Sequence, residues 1–282
     1  MKKEEKMKRI LAITLCFTFI GIGSAFAQSE LSQSQSPDQR VTAPAIDQQR
    51  QKHFFAVGTE VSYFQYEEPG VMKETGVMAG IVGSYAYHNY IMLKAEGKLA
   101  AGLLDYDGAL SDGTPLTINS IPNYMFEVRG LLGYDFAAKA VTITPYLGIG
   151  YRWLQDNSQE QSVYGYKRES NRLYLPIGLE FVANLGNGWF LGAAGEYDFF
   201  LWGKQKSYGS DLNPAYPDVE NKQTKGYGVR GSISIAKKGE KVGFVIEPYV
   251  KYWNMDDSEI NLGIYEPKNN STEIGCKLAV TF

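Results

Sequence analysis

"EIGCKLAVTF", residues 273–282, alternates polar and apolar side chains and ends on an aromatic. Successive side chains of a β-strand point to opposite faces. Ile274, Cys276, Leu278, Val280 and Phe282 therefore share one face, and Glu273, Gly275, Lys277, Ala279 and Thr281 the other. Both charges fall on the second face and none on the first. A strand of this kind needs an apolar medium on one side and a polar space on the other.

The same pattern recurs along the chain. Ten segments alternate with period two: 54–64, 76–87, 90–104, 123–136, 141–154, 172–184, 189–202, 226–236, 242–253 and 272–282. Tyr, Phe, Val, Ile, Leu and Gly dominate them, as they do strands. No long segment shows a helical 3.6-residue period. The segments are long enough to cross a bilayer, which takes about 9–11 residues of tilted strand. The connections alternate in length. Short ones fall at 88–89, 137–140, 185–188 and 237–241, and longer ones at 65–75, 105–122, 155–171, 203–225 and 254–271. That is the loop pattern of an outer-membrane barrel, with tight periplasmic turns and longer external loops.

The placement of charge sharpens this. With outer faces taken from the apolar residues (Leu173 to Phe181 and Trp189 to Leu201 are clear cases), every charge in the segments points the other way. The inward acids are Glu60, Glu96, Glu127, Asp135, Glu180, Glu196, Asp198, Glu247 and Glu273. The inward bases are Lys94, Lys98, Arg129, Arg152, Arg172, Arg230, Lys251 and Lys277. A basic residue on the lipid face at the midplane costs about 2–4 kcal/mol, so this segregation is what a membrane demands. Outward aromatics form two groups. Phe55, Tyr85, Tyr87, Tyr134, Phe136, Trp189 and Phe282 lie near the short turns. Tyr63, Tyr124, Tyr151, Trp153, Tyr197, Phe199, Tyr227 and Tyr252 lie near the long loops. Two aromatic girdles bracketing an apolar band are expected of a spanning barrel. The predicted fold is all-β: a closed antiparallel up-and-down transmembrane barrel of about ten strands, with eight to twelve open. Pro145, Pro176 and Pro248 sit inside segments, where a missing N–H breaks the ladder, so bulges or opened pairing are expected there.

Export is written at the start of the chain. Lys2, Lys3, Lys6, Lys8 and Arg9 precede an apolar run, Ile10 to Ala27, that closes on Ala-Phe-Ala. This is the layout of a cleavable signal peptide over 1–27. Residues 28–52, rich in Gln and Ser, are expected to form a flexible periplasmic leader, and 53–282 the barrel. Cleavage removes five of 28 basic and two of 31 acidic residues, leaving 23 against 29. That mildly acidic balance argues against nucleic acid as a partner. Only Cys276 remains, which excludes an intramolecular disulfide.

A narrow barrel has its interior just filled by side chains, whereas open channels belong to about sixteen strands. The inward charges should therefore pair. Neighbouring strands suggest Lys94 or Lys98 with Glu127, Arg172 with Glu196 or Asp198, Arg230 with Glu247, and Lys251 with Glu273. Small inward residues (Gly58, Gly148, Gly178, Gly228 among them) leave volume that these charges could fill or leave open. Two readings of the lumen follow: a plugged structural barrel, or a narrow porin for small solutes.

Enzymatic chemistry finds little footing. The histidines, His53 and His88, fall at the periplasmic side, away from an external rim where an omptin-like or lipid-modifying barrel enzyme would work. Glu196 and Asp198 could do acid–base work but read better as ion-pair partners of a base. No His/Cys cluster suggests a metal, and no cofactor is implied. External acids such as Asp105, Asp112, Asp218 and Asp257 match no calcium loop. Exposed loop tyrosines (Tyr164, Tyr166, Tyr208, Tyr216, Tyr265) suit recognition of an unidentified surface ligand.

The exported start, the ten segments, "RLYLPIGLEF" (172–181) and the terminal aromatic together resemble the small bacterial outer-membrane β-barrel proteins, which include opacity-type surface antigens and porin-family proteins. The resemblance covers about 54–282. It implies an outer-membrane location, contact with outer-membrane lipid, and insertion by the barrel-assembly machinery. Leu278, Val280 and Phe282 of the last strand would then act as the insertion signal. It implies no substrate.

Overall fold

The computed structural model describes residues 52–110 and 112–282. The signal peptide and nearly all of the leader expected before His53 lie outside the described residues.

Twelve strands are found among the described residues: β1 (His53–Glu68), β2 (Met72–Asn89), β3 (Ile91–Ala109), β4 (Pro115–Tyr134), β5 (Phe136–Ala138), β6 (Val141–Asn157), β7 (Lys167–Gly186), β8 (Trp189–Ser207), β9 (Val219–Gln223), β10 (Gly226–Lys237), β11 (Gly243–Met255) and β12 (Asn269–Thr281). They form one antiparallel sheet ordered β10-β11-β12-β1-β2-β3-β4-β6-β7-β8, and β8 pairs with β10 to close it. β5 continues the register of β4 along β6, and β9 continues that of β10 along β8. The barrel thus has ten staves. Closure leaves no unpaired edge, which is what a sheet in lipid requires.

The last strand joins the two ends of the chain. β12 pairs with β11 on one side and β1 on the other. Phe282 lies one residue past β12, yet its N–H donates to the Phe55 carbonyl at 2.9 Å and its carbonyl accepts from Phe55 N–H at 3.4 Å. Ile274, Leu278, Val280 and Phe282 are exposed, while Glu273 and Thr281 are buried.

The in-strand prolines are accommodated by locally opened pairing. Each keeps a register partner on one side: Pro145 opposite Leu179, Pro176 opposite Asp198, Pro248 opposite Cys276. On the other side two positions drop out of the ladder, as between Leu147↔Ile177 and Gly150↔Tyr174. The register continues unchanged across each gap, so no stave is lost.

Two expectations need correction. Two of the five long connections, 65–75 and 105–122, are mostly strand, and the strands also run part of the way into the other three. β1 and β2 run on to a turn at Pro69–Val71, and β3 and β4 nearly meet at 110–114. Alternation continues through these stretches, so the sheet stands well beyond the aromatic belt at that end. The first short turn also shifts. His88 and Asn89 remain in β2, and Tyr90, at φ 63°, makes the turn.

The predicted girdles are both present. Phe55 packs on Tyr85 and Tyr134 on Phe136 at one end, with ring centroids 4.7 and 4.8 Å apart. Tyr197, Tyr227 and Tyr252 form a row at the other. Sequence reading missed Phe244, which meets Trp189 edge-on, and Phe126 beside Tyr151. It also missed Trp202. A bulge opposite Leu173 and Tyr174 leaves Leu201 unpaired, and both Leu201 and Trp202 are exposed.

Candidate functional site

The lumen collects the chemistry of this chain. Period-two alternation puts one face of every stave inside, and closure brings those faces within side-chain reach of each other. All of the seventeen predicted inward charges face the interior, but their partners differ from those expected.

At the short-turn end, Asp135 is buried between His88 Nδ1 at 2.8 Å and the Thr144 hydroxyl, which donates at 2.6 Å. Further in, Lys94 donates to Glu180 at 3.1 Å and lies 3.3 Å from Glu96. Lys277 donates to Glu247 at 3.0 Å. Arg129 Nε donates to Glu96 at 2.9 Å, and Arg129 Nη1 bonds Glu196.

At mid-height Arg230 is the hub. It forks onto Glu127, with Nη2 to Oε1 at 2.6 Å and Nη1 to Oε2 at 3.2 Å. Its Nε donates to Asp198 at 2.7 Å and lies 3.0 Å from Glu196. Lys251 adds a second base to Glu127 at 3.1 Å. Lys98 bonds both Glu60 and Glu273. β10 and β4 stand on opposite sides of the barrel, so the Arg230–Glu127 pair crosses the lumen.

None of the expected neighbour pairs forms. Lys94 and Lys98 do not take Glu127, Arg172 takes neither Glu196 nor Asp198, Arg230 does not take Glu247, and Lys251 does not take Glu273. The reason is reach. In a ring of ten staves a long Arg or Lys spans to the far wall, where it can satisfy two or three carboxylates at once. The register neighbours Glu96–Arg129, Glu196–Arg230 and Glu247–Lys277 do pair.

The small inward residues do not leave space. Tyr174 lies opposite Gly150, Tyr146 opposite Gly178, and Tyr249 opposite Gly275. A Cβ on any of these glycines would fall 2.2, 2.4 or 2.7 Å from the ring's Cζ. Each ring therefore lies flat over its glycine, and each hydroxyl donates to a network carboxylate: Tyr174 to Glu127 at 2.8 Å, Tyr146 to Glu196 at 2.9 Å, Tyr249 to Glu273 at 2.7 Å. Sequence reading missed these tyrosines. The available signal was an inward Tyr facing an inward Gly on the next stave. It also missed the apolar part of the filling. Met78, Met125, Phe64 and Leu104 make one buried cluster, and Trp253, Tyr174 and Met255 another.

Near the long-hairpin end a second charged group appears, built by strand extensions that were expected to be loop. Arg168 donates to Glu74 at 2.6 Å, to Asp156 at 2.9 and 3.0 Å, and to Glu68 at 3.2 Å. The Tyr66 hydroxyl lies 3.0 Å from Glu68 and 2.9 Å from Glu266. Burial, reinforced by Glu68, raises the Glu266 carboxyl to about 7, and burial pushes Tyr166 in the neighbouring loop up to about 12. Among the described residues no group of three or more His, Cys, Asp or Glu is placed to hold a metal ion.

No family model and no curated protein matches this sequence. Similarity is found among solved structures. The outer membrane protease OmpT from Escherichia coli superposes with a TM-score of 0.55 at 10% identity, over 82% of this chain and 95% of that one. The outer membrane protein OprG from Pseudomonas aeruginosa gives 0.38 at 11% identity, over 81% and 93%. Neisserial surface protein A gives 0.31 at 11% identity, over 80% and 95%. The barrel fold is shared with OmpT at an identity that carries nothing beyond the fold.

The closed barrel, its charge-free outer band and its two girdles make this chain a bacterial outer-membrane β-barrel.

Proposed function

We propose that this is a non-enzymatic surface barrel whose lumen is occluded by its own side chains and whose extended external hairpins serve structural or interaction roles. The observation that carries the reading is the mid-height layer, where Arg230 crosses from β10 to Glu127 on β4, Lys251 and Tyr174 close in on the same carboxylate, Tyr146 reaches Glu196, and Lys98 and Tyr249 share Glu273. Buried ions without partners are costly, so such a layer does not readily part to let solute through.

Planar-bilayer recording of purified protein tests this. No stable single-channel steps are expected. Reproducible steps would establish the narrow-porin reading instead. The solved neighbour with a protease activity raises the enzymatic reading. Against it stand the histidines at the opposite end from the external mouth, His88 being held by Asp135 and His53 by Tyr85. Turnover of peptide substrates by folded protein, lost on Glu74→Gln or Asp156→Asn, would favour an enzyme.

A further inference from the structure

Arg152 on β6 and Arg172 on β7 are register partners, both turned inward and only 3% and 4% exposed. Every other lumen base described above reaches a carboxylate within hydrogen-bond distance; these two do not. Arg152 Nη2 comes no nearer than 4.0 Å to Glu273 Oε2, and Glu273 already receives Lys98 and Tyr249 on its other oxygen. Among the described residues Arg172 has no ion-pair partner, and its Nε is buried without an acceptor.

Each guanidinium has an aromatic ring beside it. Arg152 lies over the Phe64 ring at 5.8 Å and Arg172 over the Trp253 ring at 5.5 Å. A ring face attracts the cation but supplies no oxygen acceptor for its N–H donors. Trp253 Nε1, a donor only, is likewise buried without an acceptor. Arginine cannot shed its proton, and like charges at directly opposed positions of paired strands repel. Glu273 Oε2, itself buried without a hydrogen-bond partner, stays 4.0 Å from Arg152, so this part of the lumen concentrates donors and positive charge around an acid too far away to satisfy them.

We propose that Arg152 and Arg172 form a binding site for a small oxyanion, a phosphate, sulfate or free carboxylate, held inside the barrel. The planar guanidinium fork matches two oxygens of such an ion, and one ion between the two would remove both the repulsion and the orphaned donors. The surroundings favour retention. Asp156 and Arg168, themselves register partners, lie four residues further out on the same two strands. There Arg168 is outnumbered by Glu68, Glu74 and Asp156. That negative collar lies between the site and the outside and suits a held ion more than a passing one. The proposal is independent of whether the lumen conducts.

The test uses the barrel refolded into detergent micelles, with inorganic phosphate against chloride at matched ionic strength. Wild-type protein is expected to bind one phosphate per chain by calorimetry. At hundredfold excess over Kd its unfolding temperature should rise by roughly 5–10 °C. Arg152→Gln and Arg172→Gln should each abolish that rise. Without phosphate both should be at least as stable as wild type, because one of two opposed charges is gone. No saturable phosphate binding by wild type would overturn the proposal, as would a phosphate-dependent rise that survives in both variants. The wild-type titration decides alone if neither variant folds.

Discussion

Tyr174 shows how much one hydroxyl carries in this lumen. It donates to Glu127 and accepts from Arg230 Nη2 at 2.7 Å. Tyr174→Phe is expected to cost about 1–3 kcal/mol, the usual effect of leaving buried partners unsatisfied, measurable by urea unfolding in micelles. Gly150→Ala should be worse than a normal helix or strand Gly→Ala change, because the new methyl meets the Tyr174 ring rather than open space. Arg230→Met leaves Glu127, Asp198 and Glu196 short of a base and is expected to cost about 3–5 kcal/mol by the same measurement. At this scale the sequence was legible as to face and silent as to partner. Parity alone sends Arg230 inward. Which acid it meets depends on the distance across a closed ring, which no local pattern encodes.

Among the elements, β12 and the hairpin that precedes it carry the sharpest expectations. The reciprocal bonds between Phe282 and Phe55 seat the last side chain in the periplasmic girdle. We expect deletion of Phe282 to abolish outer-membrane assembly, read by surface labelling of intact cells; unchanged surface display would refute an insertion role. The connection 256–268 should respond to pH through Glu266. Its carboxyl is raised in the folded state, so its contribution favours folding below the ordinary carboxylate range and is lost as pH rises through about 7. Hydrogen exchange of this segment is therefore expected to quicken between about pH 5 and 8, and Glu266→Gln should flatten the change. All ten staves were visible in the sequence because each keeps a strict two-residue period with charge on one side. Their outer extensions were hidden because polar residues there, such as Gln65, Glu67 and Lys73, flank the turn-forming Pro69 and Gly70 and read as loop until a neighbour supplies the ladder.

For the whole molecule, lipid and lumen impose opposite rules on adjacent residues. Ile81 lies level with Thr59 and Leu99, midway between the girdle levels of Tyr85 and Tyr63, and is exposed. Ile81→Arg is expected to cost about 2–4 kcal/mol, while Val71→Arg in the β1–β2 turn should cost little. A matched urea series in micelles or vesicles would show the difference. The sequence by itself determined the barrel, a stave count of about ten, which face of each meets lipid and where the charges go, because alternation and segregation of charge are local and repeat in every strand; closure fixed the count at ten. Only the tertiary structure decided who pairs with whom, that tyrosines over glycines fill the interior, and that Arg152 and Arg172 have no carboxylate within hydrogen-bond distance. Those outcomes depend on the circumference of the closed ring, which sets how far each side chain must reach.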